Sequence, residues 1–540
     1  MPAWLKFTPL PLLTGIIAIF SIWENPSGHL VTNLQSGWGD LLLHIRAATF
    51  FAAQSSWPSQ SFLISGQPIG YPFLVDLIST WLIQAHVSIT LAFLLPTVLL
   101  TIITASLLQF TAWRLTKSYP AAIISSLLFL GFGGLNAYVL LPTLLRSPEK
   151  FLTTLRDLPH TITAWHETNM VILNPFVMTL HQRGYLLGLP IFLLLLYFTW
   201  RHLRKPSHLS LISLTLAGLF LSFTHPFTWV SYLLILPVWT CLTWTIQHRR
   251  PLSNWLQFIL ATTIIALGGL IIVKYLQPNA GTSAITWHPG WLSPNLLTSP
   301  LFWLKNIGLY LPFGLIALVH LLRQKNSLAW LTLASLVPFI AGNLFQFAPW
   351  AWDNTKIFTP TWLILCLAIG AWLGSLWPIS RWHKTGIIIS LLTLTLSGTL
   401  EITRVLSYLP QPLTLATPQD QALGRSIQTI TNQDDLILFE PIPNHPVFLF
   451  AGRPSLIAYE GWLWSQGWRG TYEQRLADLK TIYQGAANTT DLIKQNNISY
   501  LIIGPPELSQ GANEPYFAHN YPLVLSQNNY RLYDVTRPRQ

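Results

Sequence analysis

The sequence predicts an all-α polytopic membrane protein, with about eleven transmembrane helices in residues 1–402 and a soluble α/β domain at 403–540. Three observations predict it. Of 540 residues, 51% are hydrophobic and only 9% charged, where soluble domains carry about 25% charge. Mean hydropathy is +0.44, so lipid must be the solvent for much of the surface. After residue 402 the apolar runs stop, and acids and bases become frequent and balanced.

A bilayer crossing needs roughly 20 apolar residues. Runs of about that size lie near 8–23, 85–110, 120–142, 186–201, 208–223, 227–246, 255–275, 301–322, 328–347, 357–376 and 385–402. The first lacks a small-residue cleavage site and leads into further runs, so it reads as a retained helix. The fifth and sixth meet at Thr224-His225-Pro226. No internal repeat is visible. Cys241 and Cys366 both sit in apolar runs, which argues against a disulfide or a cysteine metal site.

Charge sets the orientation. Lys6, Arg114 with Lys117, Arg201 with Arg204 and Lys205, Arg249 with Arg250, Arg323 with Lys325, and Arg381 with Lys384 occupy alternate short loops free of acids. Those loops are expected in the cytoplasm. The acids before residue 403 (Glu24, Asp40, Asp76, Glu149, Asp157, Glu167, Asp353 and Glu401) fall on the other side. An odd number of spans then places 403–540 outside, as an extracytoplasmic domain of a plasma (inner) membrane protein. The net charge of +11 is thus topology rather than a phosphate-binding face, and nucleic acid is excluded as a partner.

Two outer loops are long, 24–84 and 143–185. Beyond 402, strand-like runs at 435–440, 455–459 and 499–503 alternate with helical stretches near 471–484 and 489–496, the pattern of a small α/β domain.

The first outer loop reads Gly37-Trp-Gly-Asp40-Leu-Leu-Leu-His44-Ile-Arg46, then Trp57-Pro58, then Gly66-Gln-Pro-Ile-Gly70-Tyr71-Pro72. Gly39 and Asp40 can open a helix. Asp40 and His44, four apart, then share a face. This pattern resembles the first outer loop of GT-C glycosyltransferases, the fold of protein O-mannosyltransferases, lipid A aminoarabinose transferases and oligosaccharyltransferase catalytic subunits. The tail segment Tyr459-Glu-Gly-Trp-Leu-Trp-Ser-Gln-Gly-Trp468-Arg469 is similar to C-terminal regions of membrane proteins assigned to that superfamily. The paired acids that some of these families carry are absent, since Leu41 and Leu42 follow Asp40.

The resemblance implies sugar transfer from a polyprenyl-phosphate donor in the membrane lipid to a glycan, lipid or protein acceptor. Such a reaction needs one carboxylate as general base. Its phosphate leaving group needs positive charge rather than a general acid. Asp40 is the expected base, with His44 and Glu167 as further catalytic candidates. A helix cap or a surface acid is the plainer reading of Asp40. Arg183, Lys356, Asp353 and Arg46 are the expected donor-phosphate group. For Arg183, in His181-Gln182-Arg183, an interfacial anchor fits as well. For Asp353 and Lys356, so does a surface ion pair. Tyr71, His166, Trp468 and Arg469 are the expected acceptor or sugar contacts. No metal is assigned, with Mg or Mn left open. A flippase would need ionisable groups in mid-helix, and the helices are nearly charge-free. A non-catalytic scaffold with a binding tail leaves the crowded first loop unexplained.

Overall fold

A computed structural model of the chain describes residues 9–35, 37–158, 160–164, 170–244, 252–276, 285–295, 297–468 and 470–539. Through the apolar part run α1 (Pro9–Ile19), α2 (Trp38–Ala52), α3 (Leu74–Gln84), α4 (Ile89–Thr116), α5 (Tyr119–Leu130), α6 (Asn136–Leu145), α7 (Phe151–Arg156), α8 (Pro175–His181) and α9 (Arg183–Arg204). They are followed by α10 (His208–Thr224), α11 (Pro226–Trp244), α12 (Leu252–Leu276), α13 (Ser299–Ile307), α14 (Tyr310–Arg323), α15 (Ser327–Ala334), α16 (Leu336–Leu344), α17 (Thr355–Leu376) and α18 (Arg381–Ser407).

Among the described residues, seven helical spans are long and apolar enough to cross a membrane. They are α4, α9, α11, α12, α15 with α16, α17 and α18. The pair α13–α14, bent by 90°, makes eight if taken as one span. The eleven expected spans are therefore not all full crossings by length. The run at 8–23 forms only the 11-residue α1, because the chain extends at Trp23–Glu24 (β1) to pair with Leu30–Thr32 (β2). The run at 208–223 forms a 17-residue helix.

The expected span 120–142 is broken into α5 and α6 at Gly131-Phe-Gly-Gly134. A Cβ on Gly131 would overlap Thr395, and one on Gly134 would overlap the Lys305 carbonyl. The amide of Asn174 donates to Leu130 O (2.9 Å) and Phe132 O (2.8 Å), satisfying carbonyls near the helix end. Below the break, α5 lies tight against α17. A Cβ on Gly370 or Gly374, one turn apart, would overlap Ser125 or Ala121. Small residues at this spacing let two helix backbones approach closely in lipid. The sharp bend between α13 and α14 falls at Gly308, whose φ of +57° lies in the left-handed region.

At its far end α18 secures the second long loop. The Ile162 and Thr163 amides donate to Glu401 Oε2 (2.5 and 3.2 Å), and Arg404 donates to Leu155 O and Leu158 O. The helix runs on to Ser407, past the boundary drawn at 402.

Two short strands, Thr286–Trp287 (β3) and Phe345–Gln346 (β4), pair antiparallel. After α18, Leu413–Ala416 (β5) pairs with β2 of the first loop. Then come α19 (Pro418–Ile430), β6 (Leu436–Leu438), α20 (Pro446–Phe450), α21 (Glu460–Ser465), α22 (Thr471–Tyr483), α23 (Thr489–Gln495) and β7 (Ile498–Ile503). The chain closes with α24 (Pro505–Ser509), α25 (Glu514–Asn520), β8 (Leu523–Gln527) and β9 (Tyr530–Asp534). The sheet order is β6-β7-β9-β8, with β6 and β7 parallel and the other pairs antiparallel. The expected strand at 455–459 is reduced to one bridge, Ile437 to Ser455. Leu42, Ile45 and Phe50 of α2 share one continuous apolar core with Leu449, Ile482 and Ile502 of the tail.

Candidate functional site

A cavity of about 480 Å³ opens where four junctions meet. The start of α2 supplies Asp40 and His44. The α8–α9 and α10–α11 junctions supply Gln182, Tyr185 and His225. The turn before α17 supplies Asp353 and the first turn of α17 supplies Lys356, and the tail turn 464–467 covers one side. Tyr71 of the first loop also lines it.

Asp40 lies in the first turn of α2, whose N-cap is Gly37 with no side-chain cap bond. Among the described residues, the side-chain hydrogen bond of Asp40 goes to His181 and not back to the helix N-terminus. Its side chain is 39% exposed, and Oδ2 lies 3.2 Å from Nδ1 of the buried His181. Burial raises the Asp40 pKa. The hydrogen bond and charge of His181, then the charge of Lys356, outweigh it and hold the carboxyl below its ordinary value. Asp40 thus stays an anion, with the expected i, i+4 neighbour His44 on the same cavity wall.

His44 is closed in on both nitrogens. Nδ1 lies 2.8 Å from Asp76 Oδ2, and Nε2 accepts the backbone N–H of Arg183 at 3.3 Å. This makes Nδ1 the protonated nitrogen, donating to Asp76. Arg183 does not line the cavity. Its Nε lies 3.3 Å from Asp76 Oδ1, and its Nη atoms donate to Phe93 O, Thr97 Oγ1 and Ser79 Oγ. The expectation of a donor-phosphate contact at Arg183 is corrected. With a buried carboxylate to neutralise, the guanidinium turns inward between α3 and α4, because a buried charge must be paired.

Arg46 is corrected in the same way. Fully buried, it donates to Phe62 O (2.9 Å), Phe448 O (3.1 Å) and Arg453 O (2.7 Å), stapling α2 to the tail. Trp468 is also buried, its amide bonded to Leu463 O. The turn before it, Trp464 to Gly467, reaches the cavity in its place. Glu167, His166 and Arg469 lie outside the described residues.

Lys356 and Asp353 do line the cavity, with Nζ 3.0 Å from Oδ1. Their loop is built to be rigid. Asn354 accepts from the Phe347 amide and donates to Gly342 O and Phe345 O. The indoles of Trp291 and Trp352 bond to Ala351 O and Val171 O. Tyr71 stands edge-on to His44. Burial, and then Asp40, Asp76 and Asp353, push its pKa well above the ordinary phenol value, so it remains an O–H donor.

His225 also lines the cavity. Its Nδ1 accepts from the Thr228 amide (3.3 Å), which leaves Nε2 as the N–H. A Cβ on Gly188 of α9 would press on His225. The sequence reading treats His225 as a junction residue, and its Thr-His-Pro setting at a helix boundary was the available signal.

No group of three or more His, Cys, Asp or Glu able to hold a metal ion occurs among the described residues. Each nearby carboxylate is already engaged: Asp40 by His181, Asp76 by His44 and Arg183, and Asp353 by Lys356. The described residues do not fit a divalent-ion site, and no chemical step is routed through one.

No protein-family model and no curated protein matches the chain. Among solved structures it is similar to ArnT from Cupriavidus metallidurans bound to undecaprenyl phosphate, with a TM-score of 0.53 and 10% identity over 98% of this chain and 97% of that one. For the same protein in the apo state the TM-score is 0.51, again with 10% identity and coverage of 98% and 97%. The archaeal oligosaccharyltransferase AglB from Archaeoglobus fulgidus, in complex with an inhibitory peptide and a dolichol-phosphate, aligns at 0.47 with 11% identity over 96% and 74%. The chain has the GT-C fold that its first loop resembles.

Proposed function

We propose that this protein is a membrane glycosyltransferase that moves a sugar from a polyprenyl-phosphate donor to an acceptor hydroxyl, with Asp40 as general base. The observation that carries the reading is that Asp40 and the Asp353–Lys356 pair line one cavity. The acceptor oxygen attacks the anomeric carbon while its proton passes to Asp40. The bond from that carbon to the phosphate oxygen breaks, and the polyprenyl phosphate leaves with the bonding pair. Lys356, oriented by Asp353, meets the phosphate as its charge develops. The Tyr71 phenol donates to a sugar or phosphate oxygen. His44 holds the wall between Asp40 and Asp76, since both its nitrogens are occupied.

The fold shared with ArnT bound to undecaprenyl phosphate supports a lipid-phosphate donor. On this reading the protein sits in the plasma membrane, with residues 403–540 as an extracytoplasmic domain against the cavity mouth. A hexosyl or pentosyl group is transferred to a glycan, lipid or protein. A second reading, a flippase of lipid-linked sugars, draws on the buried Asp76–Arg183 pair. That pair lies outside the cavity lining, so the first reading is preferred. Purified protein in liposomes with labelled polyprenyl-phosphate sugars separates the two. Release or transfer of the sugar is expected, and movement across the bilayer with the bond intact would overturn the enzyme assignment.

A further inference from the structure

The sequence gives His181 no role, yet the fold is arranged around it. His181 is the last residue of α8. That helix opens at Asn174, whose Oδ1 accepts the Val177 amide while its Nδ2 ties to the α5 break. The helix is therefore fixed at its start by the membrane bundle. At its end the imidazole is 1% exposed. Nδ1 meets Asp40, and Nε2 has no hydrogen-bond partner among the described residues. The polar chemistry of this buried ring is therefore directed at Asp40 alone. An unsatisfied buried nitrogen is costly, so burial alone does not explain a histidine here.

The ring also lies against Gly37, where a Cβ would overlap its Cγ, Nδ1 and Cδ2. Gly37 has a φ of −141°, so it does not occupy the left-handed region that favours glycine. The glycine is needed for space. Gly39, two residues on, has nothing within 4 Å of a built Cβ. One glycine of the Gly-Trp-Gly-Asp motif is thus matched to His181 and the other is not.

We infer that His181 is a positioning residue for the reaction, fixing one oxygen of Asp40 and leaving the other to the acceptor, and that Gly37 gives its ring room. The inference rests on the reading of Asp40 as the base. The charged and titratable groups facing Asp40 are His181 from α8, Lys356 from α17, His44 on its own helix, and Tyr71 from the first loop. Asp353 stands beside Lys356, and Asp76 behind His44. Burial of Asp40 works against ionisation, and the His181 contact leads the groups that oppose it. Without that contact the carboxyl should take up its proton at higher pH.

The test compares His181→Leu, His181→Asn, Gly37→Ala, His181→Ala and the double variant Gly37→Ala/His181→Ala. In His181→Leu the acid limb of kcat should move up by about one pH unit or more. His181→Asn, whose amide N–H can stand where Nδ1–H stood, should bring the limb part of the way back, restoring the hydrogen bond without the charge. Gly37→Ala should behave like His181→Leu, yet add nothing in the His181→Ala background, where the ring is gone. A His181→Leu limb at the wild-type pH would overturn the inference. So would a Gly37→Ala effect of equal size in both backgrounds. Infrared titration of the Asp40 carboxylic band, taken as wild type minus Asp40→Asn, reads the same shift without turnover. The inference is then judged even where sugar transfer is absent, a result that would sink only the assigned reaction.

Discussion

Replacing Arg46 by Met tests whether the first outer loop and the tail form one unit. The guanidinium serves three carbonyls from three places in the chain: Phe62, Phe448 and Arg453. It also lies over the rings of Phe50 and Phe448, 4.8 Å from each centroid. Met fills similar space without a donor. Each orphaned buried carbonyl costs about 1–3 kcal/mol, roughly 3–9 kcal/mol for the three. Relief of guanidinium desolvation returns several kcal/mol. A net loss of about 2–4 kcal/mol follows, within the range for a broken buried network. At 1.36 kcal/mol per tenfold, amide exchange in 446–453 and 61–65 should speed up by about 30- to 900-fold. Hydrogen exchange in detergent measures it, with the amides of α17 as an internal reference. Unchanged exchange in both segments would refute the staple. Equal acceleration in α17 would show global loosening instead.

Lys356→Met should lower kcat by about 10²–10³, the cost of removing one charge-stabilising donor, with Lys356→Arg recovering part. Steady-state kinetics on a labelled donor checks this, and an unchanged kcat would remove Lys356 from the leaving-group site. Gly374→Leu should force α17 away from α5 and cost at least about 1–3 kcal/mol by overpacking, read as a lower thermal midpoint in detergent. An equal midpoint would contradict the close approach. The acid limb of kcat/KM should fall below the pH of an ordinary aspartate, because the free-enzyme Asp40 pKa is lowered. The sign for stability follows: a depressed carboxyl contributes above its unfolded pKa and loses that contribution as pH falls through the folded one. A limb at or above the ordinary value would contradict the His181 contact.

Much of this architecture is legible in the sequence because hydropathy and charge are local. The bundle, the Asp353 and Lys356 loop, and the helices at 471–483 and 489–495 follow from runs, spacing and loop chemistry, while the cavity-lining Asp40 and Tyr71 come from the resemblance of the first outer loop. Partnerships are not local. Arg46 and Arg183 look alike in sequence to a phosphate-binding arginine. Only the fold shows one spent on three carbonyls and the other on Asp76. The break after Leu130 depends on Asn174, 44 residues away. Trp468 was an attractive sugar platform by composition, but the tail turn presents Trp464 to the cavity and keeps Trp468 in the core. His181 and Gly37 acquire meaning only as a contacting pair.

The central claim is that Asp40 accepts a proton from the acceptor as the donor bond breaks. Single-turnover transfer by Asp40→Asn, with donor binding measured on the same sample, tests it most directly. The rate should drop by about 10²–10⁴ while donor affinity stays within a few-fold of wild type. Transfer at the wild-type rate with normal donor binding would contradict the account.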